Sequence, residues 1–544
     1  MSKRTFMQGA VILAVAGVII KALGAVFKIP LGNMIGDTGM GYYQTAYTIY
    51  VMFLVLSNSG IPVAISRMVS ERVAMGQPWE AYRVFRVSFI LLLFIGLASS
   101  LLCFFKTDFL LLRFPNMEDA AYSIKAIAPA LLIVPLMAAY RGYFQGKQNM
   151  RPTANSQVLE QFFRVATGLG VALYMLPRGE ALAAAGAAAG TVAGAAAGLV
   201  TVALIYACGG GRRGAARAEA SARKTAARTR ESVHGILLRI CLIAVPITIG
   251  AAVMPVMNFL DLAILSNRLP DLGWGAEEIR KSYGQLAGFV NPLINLPQIL
   301  TQAVAMSIVP AVAAAHKRND VAFLRHNVQL GLRMAILIGL PCAFGMMTLS
   351  EPIMLLLYPA AADAARSAAP FLNILGFGII FLSGVQTLTG VLQGVGRQMI
   401  PVRNLCIGAA AKIAVTRSLI AIPSVNVKGA AVGTVTAYIL AAVLNLAAVR
   451  RHTGARFDIR LTYLKPALAA LVMSAVVFAV YGALRLLTGG NALPTLIAVA
   501  IGVLAYALML FLGGAVTEEE LLLLPGGRHL AGSVRALRRR RSGD

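Results

Sequence analysis

Apolar segments of about twenty residues recur along the whole chain, and this recurrence constrains the fold more than any other feature. A helix needs about 20 apolar residues to cross the hydrocarbon core of a bilayer. The pattern therefore predicts an all-α polytopic membrane protein with about fourteen transmembrane helices. The predicted spans lie at about residues 8–29, 43–65, 84–105, 124–145, 156–177, 183–207, 236–265, 283–313, 329–349, 369–394, 400–422, 427–449, 463–486 and 492–514.

Composition agrees with a chain that is surrounded by lipid. Hydrophobic residues make up 58% and charged residues 13% of the 544 residues, whereas a soluble domain is about half apolar and about a quarter charged. The first apolar segment follows Lys3 and Arg4 but is too long for the apolar core of a secretory signal peptide. It also lacks a small-residue cleavage site, so we interpret it as the first span.

Basic residues concentrate in alternate loops. Arg67, Arg72, Lys147, the segment Arg212–Arg230 and the Arg-rich tail all lie on one predicted side. Positive charge is retained on the cytoplasmic side of short loops. The chain is therefore predicted to be a multi-pass protein of the cell membrane with both termini in the cytoplasm.

This loop charge also explains the formal net charge of +27. Juxtamembrane Arg clusters attract anionic lipid headgroups, so anionic membrane lipids are predicted partners. The segment Arg212–Arg230 is rich in alanine and contains no aromatic residue. Nucleic-acid binding would favour aromatic side chains among the basic ones, so it is not predicted.

An internal repeat predicts two related halves. The segment Gly142-Tyr-Phe-Gln145-Gly146, followed by Met150 and Pro152, recurs as Gly390-Val-Leu-Gln393-Gly394, followed by Met399 and Pro401. A weaker similarity relates Gly60-Ile-Pro-Val-Ala-Ile-Ser-Arg67 to Ala305-Met-Ser-Ile-Val-Pro310, about 245 residues later. Because six spans separate the copies, the halves are predicted to be parallel repeats with the substrate path between them.

The repeat and the charge pattern together define the predicted domains. These are an N-terminal six-helix lobe, a basic cytoplasmic linker, a C-terminal six-helix lobe, an extra helix pair and a basic tail, at residues 1–208, 209–234, 235–450, 451–516 and 517–544.

Charged residues inside predicted spans are candidate site residues, because an ionisable group at the centre of a bilayer costs about 2.5–3.5 kcal/mol on insertion scales. In the first span, Gly17, Lys21, Gly24 and Lys28 recur at intervals of four, three and four, which places them on one helix face. Lys21 and Lys28 are therefore candidate cavity residues that bind an anionic group. Snorkelling of Lys28 to the headgroups is the structural alternative.

Equivalent helices of the two halves carry one cation each, Arg164 and Lys412. Glu160 lies one turn before Arg164 and can pair with it, and Arg141 is a second candidate partner. We predict Arg141, Arg164 and Lys412 as further substrate-binding residues, with a purely structural ion pair as the alternative for Glu160.

Asp261, deep in the seventh span, could bind Na⁺ or a proton for coupling, or it could cap a helix end. In the sixth span, Gly186, Gly190, Gly194 and Gly198 predict close helix packing inside the lobe.

No enzymatic motif is present. The acidic pairs lie near the predicted surfaces without neighbouring histidines, and the five histidines lack metal-ligand spacing. The five cysteines form no Cys-x-x-Cys pair, so neither a metal site nor a disulfide framework is predicted. We expect a transporter without cofactors, and keep a membrane-embedded glycan ligase or transferase as the alternative from another class.

Short segments carry the resemblance to one transporter family. They are Lys21-Ala-Leu-Gly24, Lys28-Ile-Pro30, Gly39-x-Gly41-Tyr-Tyr, Ser59-Gly60-Ile-Pro62-Val-Ala-x-Ser66-Arg67, Arg141-Gly-Tyr-Phe-Gln145-Gly, and Met150-Arg-Pro152 with Ser156, Glu160 and Arg164 beyond it. The chain resembles stage V sporulation protein B and its polysaccharide biosynthesis relatives. These are a branch of the multidrug/oligosaccharidyl-lipid/polysaccharide (MOP) exporter superfamily, which includes the MurJ-type lipid II flippases.

The resemblance implies two six-helix lobes around a central cavity, plus a C-terminal helix pair that can line a lipid-sized groove. It also implies outward flipping of undecaprenyl-diphosphate-linked cell-wall precursors, for peptidoglycan or spore cortex synthesis, by alternating access. We expect a monomer. MurJ-type flippases carry a functional Arg and Glu before the proline of the eighth span, where this sequence has Pro292 and Asn295.

A drug or cation antiporter of the same superfamily is the nearest alternative. Such a protein would favour acidic residues in its cavity because its cargo is cationic. The ionisable residues within the predicted spans are predominantly basic, which favours an anionic cargo.

Overall fold

The structure is a computed structural model that describes residues 3–112, 114–209 and 231–515, without side-chain detail at residues 3–15, 18 and 21. Most of the predicted linker and the whole predicted tail lie outside the described residues. Contacts divide the chain into two compact units, residues 1–289 and 290–544. This contact boundary is distinct from the lobe boundaries expected from the repeat, which stay predictions.

The described residues of the first unit form ten α-helices. They are α1 Lys3–Asn58, α2 Ile61–Ala74, α3 Pro78–Phe105, α4 Thr107–Leu111, α5 Ala120–Ile127, α6 Ala130–Gly146, α7 Arg151–Met175, α8 Glu180–Cys208, α9 Val233–Arg268 and α10 Ala276–Tyr283. Short 3₁₀ turns follow α7 at Leu176–Arg178 and α9 at Pro270–Leu272. A π-helical segment, Gly284–Val290, follows α10.

In the second unit, the part of the chain that the structure describes forms eight α-helices. They are α11 Asn291–Lys317, α12 Val321–Thr348, α13 Ser350–Leu357, α14 Ala362–Gly394, α15 Met399–Ile420, α16 Lys428–Thr453, α17 Lys465–Thr488 and α18 Ala492–Leu512. A 3₁₀ turn at Pro359–Ala361 precedes α14, and a π-helical segment at Arg460–Leu464 precedes α17.

Every predicted span coincides with helix, and the all-α membrane fold is confirmed. Twelve helical segments among the described residues are long and apolar enough to cross a membrane. One of them, Ala22–Ala74, covers 53 residues and includes part of the first predicted span and the whole of the second. The helix α7, which carries Glu160 and Arg164, is less apolar than these twelve. The count of fourteen therefore stays a prediction.

The long helix α1 doubles back at Gly36. This glycine has φ 64° and ψ −169°, a combination that essentially only glycine tolerates. In a straight helix, residues 27 and 43 would lie about 24 Å apart at 1.5 Å per residue. The ring centroids of Phe27 and Tyr43 are 5.9 Å apart, so the two arms of α1 fold against each other as two neighbouring spans.

The two copies of the sequence repeat make the same packing contact. In the first unit, a Cβ atom on Gly142 or Gly146 of α6 would lie 2.8 Å or 2.7 Å from a carbonyl oxygen of α2. In the second unit, a Cβ atom on Gly390 or Gly394 of α14 would lie 2.9 Å or 3.0 Å from a carbonyl oxygen of α11. Each glycine pair therefore allows one helix backbone to pack directly on another, which explains why the motif recurs.

The C-terminal helix pair packs on the second unit. The Tyr506 hydroxyl of α18 donates to the Leu337 carbonyl at 3.0 Å, and the Thr348 hydroxyl donates to Ser474 of α17 at 3.0 Å. Buried apolar residues of α12, α17 and α18 form one continuous core. The predicted addition of two helices after the repeat is thus an integral part of this unit.

Candidate functional site

Four aromatic side chains of α1 form a continuous cluster inside the first unit. The rings of Tyr43 and Tyr47 stack with centroids 5.8 Å apart, and Tyr50 lies 5.9 Å beyond Tyr47. Phe27, from the other arm of α1, contacts Tyr43 edge to face. We call these four side chains the aromatic cluster.

Local sequence explains the tyrosine part of this cluster. Tyr43, Tyr47 and Tyr50 follow each other at intervals of four and three, so they lie on one face of the helix after Gly36. Phe27 joins them only because α1 folds back. The sequence pattern could have revealed the three tyrosines, whereas the contribution of Phe27 depends on the tertiary structure.

Two cations lie over the aromatic cluster. The Lys28 ammonium is 5.6 Å from the centroid of the Tyr47 ring, and the Arg164 guanidinium carbon is 5.1 Å from the same centroid. Arg164 is also 5.9 Å from the Phe27 ring centroid and donates from Nη2 to the Tyr43 hydroxyl at 3.3 Å. Two of the predicted site residues, from different helices, are therefore brought to one place.

Glu160 pairs with Arg141 rather than with Arg164. The Nη2 atom of Arg141 donates to a Glu160 carboxylate oxygen at 2.8 Å, and its Nε atom donates to the Ser156 hydroxyl at 2.9 Å. Within the described residues, Arg164 forms no ion pair with a carboxylate. Its Nε–H is buried without a hydrogen-bond acceptor, and an unmet charged donor of this kind costs more than 1 kcal/mol unless a ligand satisfies it.

The glycine stripe of α8 holds α7 in place behind this site. A Cβ atom on Gly194 would lie 2.9 Å from the Arg164 Cβ atom, and one on Gly190 would lie 2.7 Å from the Arg164 carbonyl oxygen. A Cβ atom on Gly198 would lie 2.6 Å from the Met137 sulfur. The stripe therefore packs inside the unit, as predicted, and fixes the position from which Arg164 extends.

The remaining predicted residues lie elsewhere. Lys21 is helical in α1, but its side chain is outside the described part of the chain. Lys412 of α15 is buried, with 3% of its surface exposed, and packs beside Gly433 in the second unit. Asp261 of α9 is partly buried in the first unit. Their predicted roles stay predictions.

The helix α11 carries uncharged side chains where the resemblance to MurJ-type flippases implies charged ones. Pro292 is buried and Asn295 is exposed. The Gln298 amide donates to Asn295 at 3.0 Å, and the Gln386 amide donates to Gln298 at 3.2 Å. Thr301 donates to Gln386 at 2.6 Å. These hydrogen-bonded side chains form a candidate polar surface. Selecting charged residues within the spans could not reveal it, because its side chains are uncharged.

Lys28 and Arg164, which we call the Lys28–Arg164 cluster, can together bind an anion of two or more charges. Arg164 can donate several hydrogen bonds in a fixed plane, Lys28 adds a second positive charge, and tyrosine hydroxyls lie beside both. Charge-assisted hydrogen bonds of this kind are about twice as strong as neutral ones. No group of three or more His, Cys, Asp or Glu residues in the described ranges could hold a metal ion.

Sequence comparisons agree with this architecture. Residues 6–316 match the polysaccharide biosynthesis protein family, and residues 286–416 match the MatE family. The membrane protein YabM of Bacillus subtilis (strain 168) is 28% identical over 537 residues, which cover 97% of this chain and 96% of YabM. Stage V sporulation protein B of the same organism is 26% identical and covers 83% of this chain and 85% of its own length. The lipid II flippase MurJ of the same organism is 24% identical to this chain, and the match covers 86% of each protein.

Solved structures share the fold at low sequence identity. The lipid II flippase MurJ in an inward closed conformation has a TM-score of 0.68 and 14% identity, covering 92% of this chain and 98% of its own. An inward-facing MATE multidrug resistance transporter of the MOP superfamily has a TM-score of 0.64 and 15% identity, and the match covers 81% of this chain and 98% of the transporter. The fold is that of the MOP superfamily transporters.

Proposed function

The chain belongs to the polysaccharide biosynthesis protein family, and from this premise we propose that it is a flippase for an undecaprenyl-diphosphate-linked cell-wall precursor. It moves lipid II or a related lipid-linked oligosaccharide across the cell membrane by alternating access, for peptidoglycan or spore cortex synthesis. The similar proteins are named as a lipid II flippase and a sporulation protein, which supports transport rather than catalysis and this class of cargo.

One observation carries the proposal. Arg164 and Lys28 lie over one tyrosine ring, and the nearby carboxylate of Glu160 pairs with Arg141 instead. The site thus presents net positive charge from Arg164 and Lys28. A diphosphate matches this charge, whereas a cationic drug would be repelled.

The test is complementation of a bacterium depleted of its own lipid II flippases. We expect the wild-type chain to restore growth and Arg164→Ala to lose most of the activity at an unchanged protein level. Loss of a buried charge-assisted contact to a phosphate costs roughly 2–5 kcal/mol. Arg164→Lys should restore part of the activity because it keeps the charge.

Arg178→Ala is the matched control. The Arg178 guanidinium also lies over a tyrosine ring, that of Tyr174, at 5.4 Å, but it is exposed in the 3₁₀ turn after α7. This variant should complement like wild type. If Arg164→Ala complements equally well, the cluster is not the substrate site; if the wild type does not complement, the cargo is not lipid II.

We also propose that Asp261 couples transport to Na⁺ or H⁺. A carboxylate within a span is a common site for a coupling ion, and Asp261 is partly buried in α9. In proteoliposomes, an imposed Na⁺ or H⁺ gradient should stimulate transport by the wild type but not by Asp261→Asn, with thermal stability unchanged. Stimulation of both proteins would leave Asp261 as a structural residue.

Both termini are proposed to lie in the cytoplasm. In a cysteine-free background, single cysteines at the exposed positions Glu118 and Asp363 should react with a membrane-impermeant thiol reagent in intact cells. A cysteine at exposed Arg151 should not react until the membrane is opened. The reverse pattern would contradict the proposed orientation, which rests on the positive-inside distribution.

A drug antiporter remains the second candidate because residues 286–416 match the MatE family and the fold is shared with a MATE transporter. It predicts efflux of a cationic dye from cells that express the chain. Dye efflux that survives Arg164→Ala would favour this candidate over the flippase.

A further inference from the structure

A cavity of about 530 Å³, distinct from the Lys28–Arg164 cluster, opens in the first unit between the beginnings of α3 and α9. Trp79, Tyr82 and Arg86 of α3 line one side, and Val233 and Leu237 of α9 line the other. Pockets of about 300–1,000 Å³ accommodate drug-sized ligands. We call this cavity the α3–α9 groove.

The groove changes from charged to apolar along α3. Arg86, Ile90 and Phe94 line it at intervals of four residues, so they lie on one helix face. From Arg86 to Phe94 the helix rises about 12 Å at 1.5 Å per residue. Ile90 is 43% exposed and Phe94 is 65% exposed. The groove is thus amphipathic, with a cation at one end and an open apolar surface beyond it.

The two arginines of the groove differ in their partners. Arg83 donates to Glu80 at 3.0 Å and to the Glu231 carbonyl at 2.9 Å. Arg86 is exposed and forms no ion pair or hydrogen bond within the described ranges. Arg83 is therefore neutralised and fixed, whereas Arg86 offers its full charge to a ligand.

We propose that the α3–α9 groove binds an anionic phospholipid of the surrounding bilayer. The lipid phosphate contacts Arg86, and an acyl chain lies along Ile90 and Phe94. Trp79 and Tyr82 lie beside the headgroup, at the depth where amphipathic aromatic side chains anchor proteins at membrane interfaces.

Charge complementarity favours an anionic occupant. A basic peptide, such as one with the arginine-rich composition of residues 212–230, would be repelled by Arg86. A zwitterionic lipid would fill the apolar part but would add no net attraction at Arg86.

The chain contains only two tryptophans, so Trp274→Phe leaves Trp79 as the sole tryptophan reporter inside the groove. The full-length Trp274→Phe protein is placed in nanodiscs of neutral lipid, and phosphatidylglycerol or phosphatidylcholine with brominated acyl chains is added. Bromine quenches tryptophan fluorescence at short range. We expect brominated phosphatidylglycerol to quench Trp79 with about fivefold higher apparent affinity, which corresponds to ~1 kcal/mol for one interfacial cation.

Arg86→Ala should abolish this preference, and Arg86→Lys should retain it, which also shows that the fold tolerates substitution. The matched control is Arg151→Ala, because Arg151 is an exposed basic residue on a different helix, outside the groove. Equal quenching by both lipids in the parent protein, or quenching by neither, would overturn the proposal. Complete displacement by equimolar undecaprenyl phosphate would assign the groove to the carrier lipid and would also overturn it.

Discussion

The helices α7 and α15 begin at equivalent points of the internal repeat, yet their cations have different surroundings. Arg164 of α7 is partly exposed and lies over the aromatic cluster. Lys412 of α15 is 3% exposed and packs against α16 beside Gly433. Equivalent position and equal charge therefore do not produce equivalent sites.

The difference comes from neighbouring helices rather than from the helix that carries the cation. In the first unit, Tyr47 and Tyr50 supply the aromatic surface. In the second unit, Lys412 packs beside Gly433 of α16 instead. The repeat preserves backbone packing, whereas the side chains that define a ligand site have diverged between the halves.

The largest expected effect separates the two cations directly. Arg164→Met should lower transport of a diphosphate-linked lipid in proteoliposomes about 30-fold or more, since loss of a buried charged contact costs at least about 2 kcal/mol. Lys412→Met should lower transport less than Arg164→Met does, because the Lys412 side chain is buried in this conformation. Equal losses would show that the two halves share function as well as packing.

The glycine contacts should behave alike in both halves. Gly146→Ala and Gly394→Ala each force a Cβ atom within 3.0 Å of a neighbouring helix, and overpacking of this kind costs about 1–3 kcal/mol. Both variants should lower the melting temperature in detergent by several degrees. Gly384→Ala is the control, since a Cβ atom there would meet no atom within 4 Å. If Gly394→Ala does not lower the melting temperature, the close glycine contact contributes to stability in the first unit but not in the second.

The aromatic surface should matter through its ring rather than its hydroxyl at Tyr47. Tyr47→Leu removes the ring that faces both Lys28 and Arg164, and cation–π contacts contribute about 1–2 kcal/mol when desolvated. Transport should fall about tenfold, whereas Tyr47→Phe should stay near wild type. The opposite order would indicate that the hydroxyl is the substrate contact.

The smallest effect concerns an ion pair of the first unit. Glu160 pairs with Arg141, whereas the repeat position that corresponds to Glu160 is Gly408. A double-mutant cycle on Glu160→Gln and Arg141→Gln should give a stability coupling of about 1 kcal/mol. If Glu160→Gln instead lowers transport while the melting temperature is unchanged, the pair belongs to the substrate site.

Much of the fold followed from sequence because its signals are local. Each apolar segment is long enough for one span, and glycines at intervals of four fit the close helix contacts that the structure contains. The identities of Lys28 and Arg164 were also predictable, since a charge within an apolar segment stands out in any window of twenty residues. The partner of Glu160 was left open, because Arg141 and Arg164 both lie within reach on neighbouring turns or helices.

By itself, the sequence determined the helices, the repeat and the positions of the cations. Each of these signals lies within one segment of the chain, and the apolar character of that segment decides whether it enters the membrane. Only the tertiary structure decided which cations lie together. The reversal of α1 at Gly36 brings Phe27 to Tyr43, and the packing of α7 on α1 brings Arg164 over Tyr47. These contacts join residues that are far apart in sequence, and their distance depends on how whole helices pack rather than on any local pattern.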